Sequence, residues 1–143
     1  MIQSHFSKAH RTSTFGVTII AALGLSAALS GAARAESAML VGTWAGNGSI
    51  DFASGSKEKA RCRAHFVKTG ETSYEMSASC ATSSAKVDQT AQLTRVGANS
   101  YVGSFFNQQY NTGGSIRISV SGRSGSVSLS GEAGKAWFSL RKL

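Results

Sequence analysis

From Trp44 to the C-terminus, apolar residues alternate with polar ones at a period of two. A helix cannot gather such a pattern onto one face, whereas a β-strand puts every second side chain on the same side. Trp44, Gly46, Gly48, Ile50 and Phe52 share a face of a first strand, and Ala53-Ser54-Gly55-Ser56 turns the chain. Cys62, Ala64 and Phe66 share a face of the second strand, with Arg61, Arg63 and His65 on the other. After a turn at Thr69-Gly70-Glu71 come Tyr74, Met76, Ala78 and Cys80 of the third. Val87, Ala91 and Leu93 alternate in the fourth, which ends at Gly97-Ala98-Asn99. The fifth runs about Tyr101 to Asn107, and its adjacent Phe105 and Phe106 leave its facing open. Ile116, Ile118 and Val120 mark the sixth, Val127 and Leu129 the seventh, and Ala136, Phe138 and Leu140 the eighth. Proline is absent, and Gly/Ser turns separate the strands. About eight short strands joined by tight turns predict an all-β domain, a single small antiparallel up-and-down barrel. An open two-sheet sandwich is the alternative. Trp44, Phe52, Phe66, Met76, Leu93, Ile118 and Phe138 are the predicted core.

The N-terminal segment obeys different rules. Lys8 and Arg11 precede the apolar run Phe15-Gly16-Val17-Thr18-Ile19-Ile20-Ala21-Ala22-Leu23-Gly24-Leu25, and Ala33-Arg34-Ala35 is a small-x-small cleavage site. That order is the mark of an export signal, so residues 1–35 are expected to be a signal peptide and residues 36–143 the β-barrel domain. The apolar core is too short and too rich in Ser and Gly for a stable membrane span. The expected location is periplasmic or secreted. The full chain carries 15 Lys and Arg against 7 Asp and Glu, a net charge of +8. Cleavage takes Lys8, Arg11 and Arg34 and leaves +5. That balance suits solubility and weak attraction to anionic envelope surfaces; it is not a nucleic-acid signature.

Two cysteines in an exported chain are expected to be oxidised. A hairpin turning at Glu71 sets Cys62 directly opposite Cys80, Ala64 opposite Ala78 and Phe66 opposite Met76, all on the core side. Directly opposed strand residues are close enough for a disulfide. The spacing does not fit CxxC redox or metal chemistry.

Leu40-Val41-Gly42-Thr43-Trp44 is the sharpest local motif. It resembles the L-x-G-x-W opening of lipocalins and the wider calycin group, small exported antiparallel barrels in which this Trp plugs one end. The resemblance implies a calycin-like barrel in which a basic residue near the C-terminus covers Trp44. Arg141 is the candidate, with Lys142 serving if the register slips by one. The inward parity of Ala136, Phe138 and Leu140 points Arg141 outward unless the strand ends or bulges at Leu140. Periplasmic metalloprotease inhibitors share the opening, the size and an early disulfide, although this chain departs from them in cysteine spacing and in Gly46-Asn47-Gly48. The Gly-Thr-Trp-x-Gly-x-Gly start followed by Arg61-Cys62-Arg63-Ala64 is also similar to a group of uncharacterised exported bacterial proteins, a likeness that brings no function with it.

Catalytic motifs do not stand out. His65 is the only histidine after residue 35 and has no neighbouring carboxylate or thiolate in sequence. The serines form no G-x-S-x-G, and no second His or acid is placed to complete a triad. Gly46-Asn47-Gly48 opens no helix, so it reads as a bend that lets a barrel strand coil rather than as a phosphate loop. Asp51, Glu58, Glu71, Glu75, Asp88 and Glu132 are scattered, mostly on outward parity or in turns. Lys57, Lys59, Arg61 and Arg63 line the outer face of the second strand and are the candidate surface for an anionic partner. No aromatic residue interleaves on that strand face, which argues against single-stranded nucleic acid. The outward Lys, Arg, Ser and Thr also argue against a lipid-facing barrel. The chain is therefore expected to be a non-enzymatic binding module of the cell envelope, without metal or cofactor. Its partner would be a small apolar ligand or a protein. The alternative is a protease-inhibitor-like interaction protein. An interior cavity of about 300 Å³ or more favours the ligand reading. A solid interior with a mobile Glu36-Ser37-Ala38 segment favours the inhibitor reading.

Overall fold

The computed structural model describes residues 39–143; the expected signal peptide, residues 1–35, and the Glu36-Ser37-Ala38 segment lie outside them. Eight strands follow one another: β1 (Gly42–Phe52), β2 (Lys57–Lys68), β3 (Ser73–Ala81), β4 (Lys86–Arg95), β5 (Ser100–Asn107), β6 (Thr112–Ser121), β7 (Ser124–Gly131) and β8 (Gly134–Lys142). Each pairs antiparallel with the next, and β8 returns to pair with β1, so the sheet closes into an up-and-down barrel. Closure removes the exposed edges that the sandwich alternative would have kept.

Gly42 pairs with Phe66, and the path continues through Met76, Ala91, Phe105, Gly114, Gly131 and Gly134. It rejoins β1 at Phe52, ten residues further along. A stagger of ten over eight strands tilts the strands by about 40° to the barrel axis. The tilt decides which side chains meet across the interior, and sequence alternation alone carries no information on it.

The hairpin register matches expectation residue for residue: Cys62 faces Cys80, Ala64 faces Ala78 and Phe66 faces Met76. The two cysteines form a disulfide with Cα atoms 4.1 Å apart. Trp44, Phe66, Met76, Leu93, Ile118 and Phe138 are buried as expected, and Tyr74 packs edge-on against Tyr101 with ring centroids 5.1 Å apart. Phe52 is a correction: it is only half-buried. It ends β1 at the barrel rim, where the next residues turn into solvent. β5 resolves its two phenylalanines by parity. Tyr101 and Asn107 point inward, so Phe105 packs against the core while Phe106 is exposed. Asn107, buried at the end of that strand, accepts a hydrogen bond from the Tyr110 backbone N–H at 2.8 Å and closes the following turn.

Gly46-Asn47-Gly48 is where β1 coils most tightly against β8. A Cβ on Gly46 would lie 1.9 Å from the Ser139 carbonyl oxygen, and one on Gly48 would lie 2.0 Å from that of Trp137. Backbone cannot yield as a flexible side chain can. Gly46→Ala is therefore expected to cost about 2 kcal/mol in urea unfolding. A loss below about 0.5 kcal/mol would mean that β1 and β8 separate readily there.

Candidate functional site

One barrel end is sealed, and the Leu40–Trp44 motif builds the seal. Leu40 and Trp44 are buried, and Trp44 Nε1–H donates to the Leu40 carbonyl at 2.8 Å. Gly42 between them has φ +124°, a conformation that side-chain-bearing residues rarely adopt, and Lys142 packs above it. The Lys142 ammonium lies 5.8 Å from the Trp44 ring centroid and donates to the Met39 carbonyl at 3.1 Å. The covering cation is thus Lys142 and not Arg141. Lys142 pairs directly with Trp44 across β1 and β8 and shares its face, whereas Arg141 pairs with Ala45 and is exposed on the outer wall. The inward run Ala136, Phe138, Leu140 simply continues to Lys142, with no bulge. Lys142→Ala is expected to lose about 1 kcal/mol in thermal or urea unfolding, and Arg141→Ala less than about 0.5 kcal/mol. The reverse ranking would contradict this seal.

The interior beyond the seal is filled. Cys62, Cys80, Ala64, Ala78, Met76 and Phe138 surround a residual cavity of about 20 Å³. That is room for about one water molecule. At the opposite mouth stand the half-buried Ile50, Phe52, Phe105 and Ala136, with Glu58 on the inward parity of β2. Glu58 accepts hydrogen bonds from Ser84 Oγ at 2.8 and 2.9 Å. Hydrogen bonds from Thr82 and then Ser84 hold its carboxyl below the usual carboxylate range. Their contribution to stability is present at neutral pH and is lost as the pH falls through that lowered value.

The outer wall is where concavity and chemistry meet. A groove of about 920 Å³ runs over β1 to β5 and is lined by Thr43, Arg63, His65, Ser77, Ser79, Asp88, Phe106 and the Gln108–Gln109 turn. Strand pairing assembles it: His65 faces Ser77, which faces Thr90, and Arg63 faces Ser79, which faces Asp88. The acid that sequence spacing did not place near His65 therefore shares a wall with it. The Ser79 hydroxyl donates to the Asp88 carboxylate, and His65 Nδ1 and the Thr43 hydroxyl are hydrogen-bonded at 3.1 Å. Neither bond joins a serine hydroxyl to His65; together with the exposed Phe106 they form a polar surface with an aromatic edge. Among the described residues, no group of three or more His, Cys, Asp or Glu side chains is arranged to hold a metal ion.

Lys57, Lys59, Arg61 and Arg63 all lie on the outer face of β2, as expected. Lys57 pairs with Asp51 at 3.1 Å, and Lys59, Arg61 and Arg63 are exposed beside it. Closure of β8 onto β1 adds a residue that sequence reasoning missed. Trp137, 51% exposed, sits on the outer wall opposite Ser49, which in turn faces Lys59. Its odd position in β8, outside the inward run, was the available signal. No aromatic lies on the outer face of β2 itself, but barrel closure brings Trp137 beside it.

No family model and no curated protein matches the chain. Solved structures do. A redesigned β-barrel, mFAP1, bound to DFHBI superposes with TM-score 0.61 at 15% identity, covering 78% of this chain and 98% of that one. A second redesigned barrel, b11L5F_LGL, gives 0.60 at 14% identity, covering 77% and 96%. Rv2717c from M. tuberculosis gives 0.54 at 12% identity, covering 81% and 99%. At these identities the likeness is one of fold: a small closed antiparallel barrel.

Proposed function

We propose that this protein is an exported, non-enzymatic, calycin-like binding module that engages its partner with its outer wall. The observation that carries the reading is the contrast between an interior reduced to about 20 Å³ and an outer groove of about 920 Å³. Drug-sized ligands need a pocket of about 300 Å³ or more. The fold itself is compatible with small-molecule binding, since mFAP1 holds DFHBI. In this chain the disulfide, Met76 and Phe138 help to leave an interior of only about 20 Å³. The L-x-G-x-W motif and its covering cation support the calycin likeness; the short apolar run and Ala33-Arg34-Ala35 support export.

Native mass spectrometry of protein purified from its own cells tests the reading. The expected species begins at Glu36, keeps its disulfide and carries no stoichiometric apolar ligand. A retained lipid or other apolar molecule at one per chain would contradict it. The solid interior is also what the inhibitor alternative calls for. Inhibition of a secreted metalloprotease, lost on deletion of Glu36-Ser37-Ala38, would select that alternative.

A further inference from the structure

We propose that the outer face of β8, β1 and β2 binds an anionic polysaccharide, one carrying carboxylates on successive sugars, with Trp137 as the stacking platform. The inference rests on the outer-wall reading and names the partner's chemistry. Three rows of residues cross these strands. Trp137 faces Ser49, which faces Lys59; Ser139 faces Asn47, which faces Arg61; Arg141 faces Ala45, which faces Arg63. Adjacent strands lie about 4.8 Å apart, so each row spans about 10 Å from β8 to β2. A sugar ring stacked on Trp137 therefore has hydroxyl and amide partners beside it and cations one sugar further on.

Charge complementarity selects the occupant. Among the described residues the acid on this face is Asp51, already engaged by Lys57. Lys59, Arg61, Arg63 and Arg141 are exposed there. The indole offers a flat apolar plane to the C–H face of a sugar, and Ser49, Ser139 and Asn47 offer short donors and acceptors to its hydroxyls. A lipid surface fits less well, because Trp137 is flanked by serines on both neighbouring strands, Ser49 and Ser128, rather than by an apolar cluster that could insert. Single-stranded nucleic acid needs a succession of aromatic platforms, and this face has one.

The test is a titration of the purified protein with polygalacturonate oligomers at low salt, followed by Trp fluorescence and calorimetry. Neutral dextran, oligo-deoxythymidylate and phosphatidylglycerol vesicles are the comparators. Polygalacturonate is expected to bind, dextran not. Trp137→Ala is expected to weaken binding about tenfold or more. The double variant Arg61→Gln/Arg63→Gln is expected to weaken it similarly and to flatten its salt dependence. Lys68→Ala, at the far end of β2, is expected to leave it unchanged. Should Trp137→Ala fail to fold, the Arg double variant carries the test. No binding, a Trp137→Ala or Arg double variant that binds like the parent, or equal binding of the nucleic acid or the vesicles would overturn the proposal. Such a failure, with no bound apolar ligand seen by native mass spectrometry, would leave the outer-wall reading intact.

Discussion

Removing the Cys62–Cys80 bridge is expected to lower stability by about 3 kcal/mol and the melting temperature by roughly 10–20 °C. The cysteines are 18 positions apart, and the bridge joins β2 to β3 face to face inside the barrel. Its main effect lies in the unfolded chain, where it abolishes the freedom of that loop. A second contribution is native packing. Both sulfurs sit in the core beside Ala64 and Ala78, whose small side chains leave the space that the bridge fills. The double variant Cys62→Ala/Cys80→Ala is the right comparison, because serine at either buried position would add an unsatisfied hydroxyl. Urea unfolding of that variant and of the reduced parent protein should agree within about 1 kcal/mol. A loss below about 1 kcal/mol in both would show that the strands hold their register without the staple. Since a domain of this size has only about 5–15 kcal/mol in total, the expected loss is a large share of the whole.

Trp44→Ala is the second large effect, expected at about 4 kcal/mol. The substitution removes the largest side chain of the sealed end, which is 1% exposed. It also strips the Leu40 carbonyl of its indole donor and leaves the Lys142 ammonium over a void. The void cannot collapse easily, because the strands around it are hydrogen-bonded on both sides. A Cβ added at Gly125 of β7 would lie 3.3 Å from the ring, so the wall formed by β7 is shaped to the indole. Trp44→Phe should recover part of the loss, by filling space without restoring the bond to Leu40. The Trp44→Ala and Lys142→Ala effects should be less than additive, since the cation has no ring to cover once Trp44 is gone. Chemical unfolding of the two single variants and the double variant measures that coupling; full additivity would show that Lys142 acts independently of the indole.

Much of this molecule is legible one hairpin at a time. The turn at Glu71 and two cysteines at equal distance from it were enough to derive the β2–β3 register, because a tight antiparallel turn leaves one solution that pairs both sulfurs. Alternation likewise placed every buried face except that of β5, where Phe105 and Phe106 offered either parity. Long-range closure is different. The pairing of β8 with β1 joins residues about ninety positions apart, and no local pattern states its register. One reading fails for that reason: the basic face of β2 stands beside an aromatic, Trp137 of β8. Arg141 fails as the cover of Trp44 on a local ground, because the alternation of β8 already points it outward and the strand runs on to Lys142 without a bulge. Phe52 failed for a simpler reason: alternation reports the direction of a side chain but not its depth, and a rim position is only half-covered. The interior volume is similarly silent in sequence, since it depends on the stagger around the whole barrel as much as on side-chain size.

The two tryptophans report on the sealed interior and on the outer wall. Trp44 Nε1–H is buried and bonded to Leu40; Trp137 is half-exposed on the outer wall. The decisive measurement is the pair of indole N–H resonances in ¹⁵N-labelled protein, followed through hydrogen exchange and through titration with dodecanoate and with polygalacturonate. Slow exchange is expected for Trp44 and fast exchange for Trp137, with no shift of either on adding dodecanoate and a shift of Trp137 alone on adding polygalacturonate. A Trp44 resonance that exchanges as fast as Trp137, or that moves with saturating dodecanoate, would contradict a sealed and filled barrel.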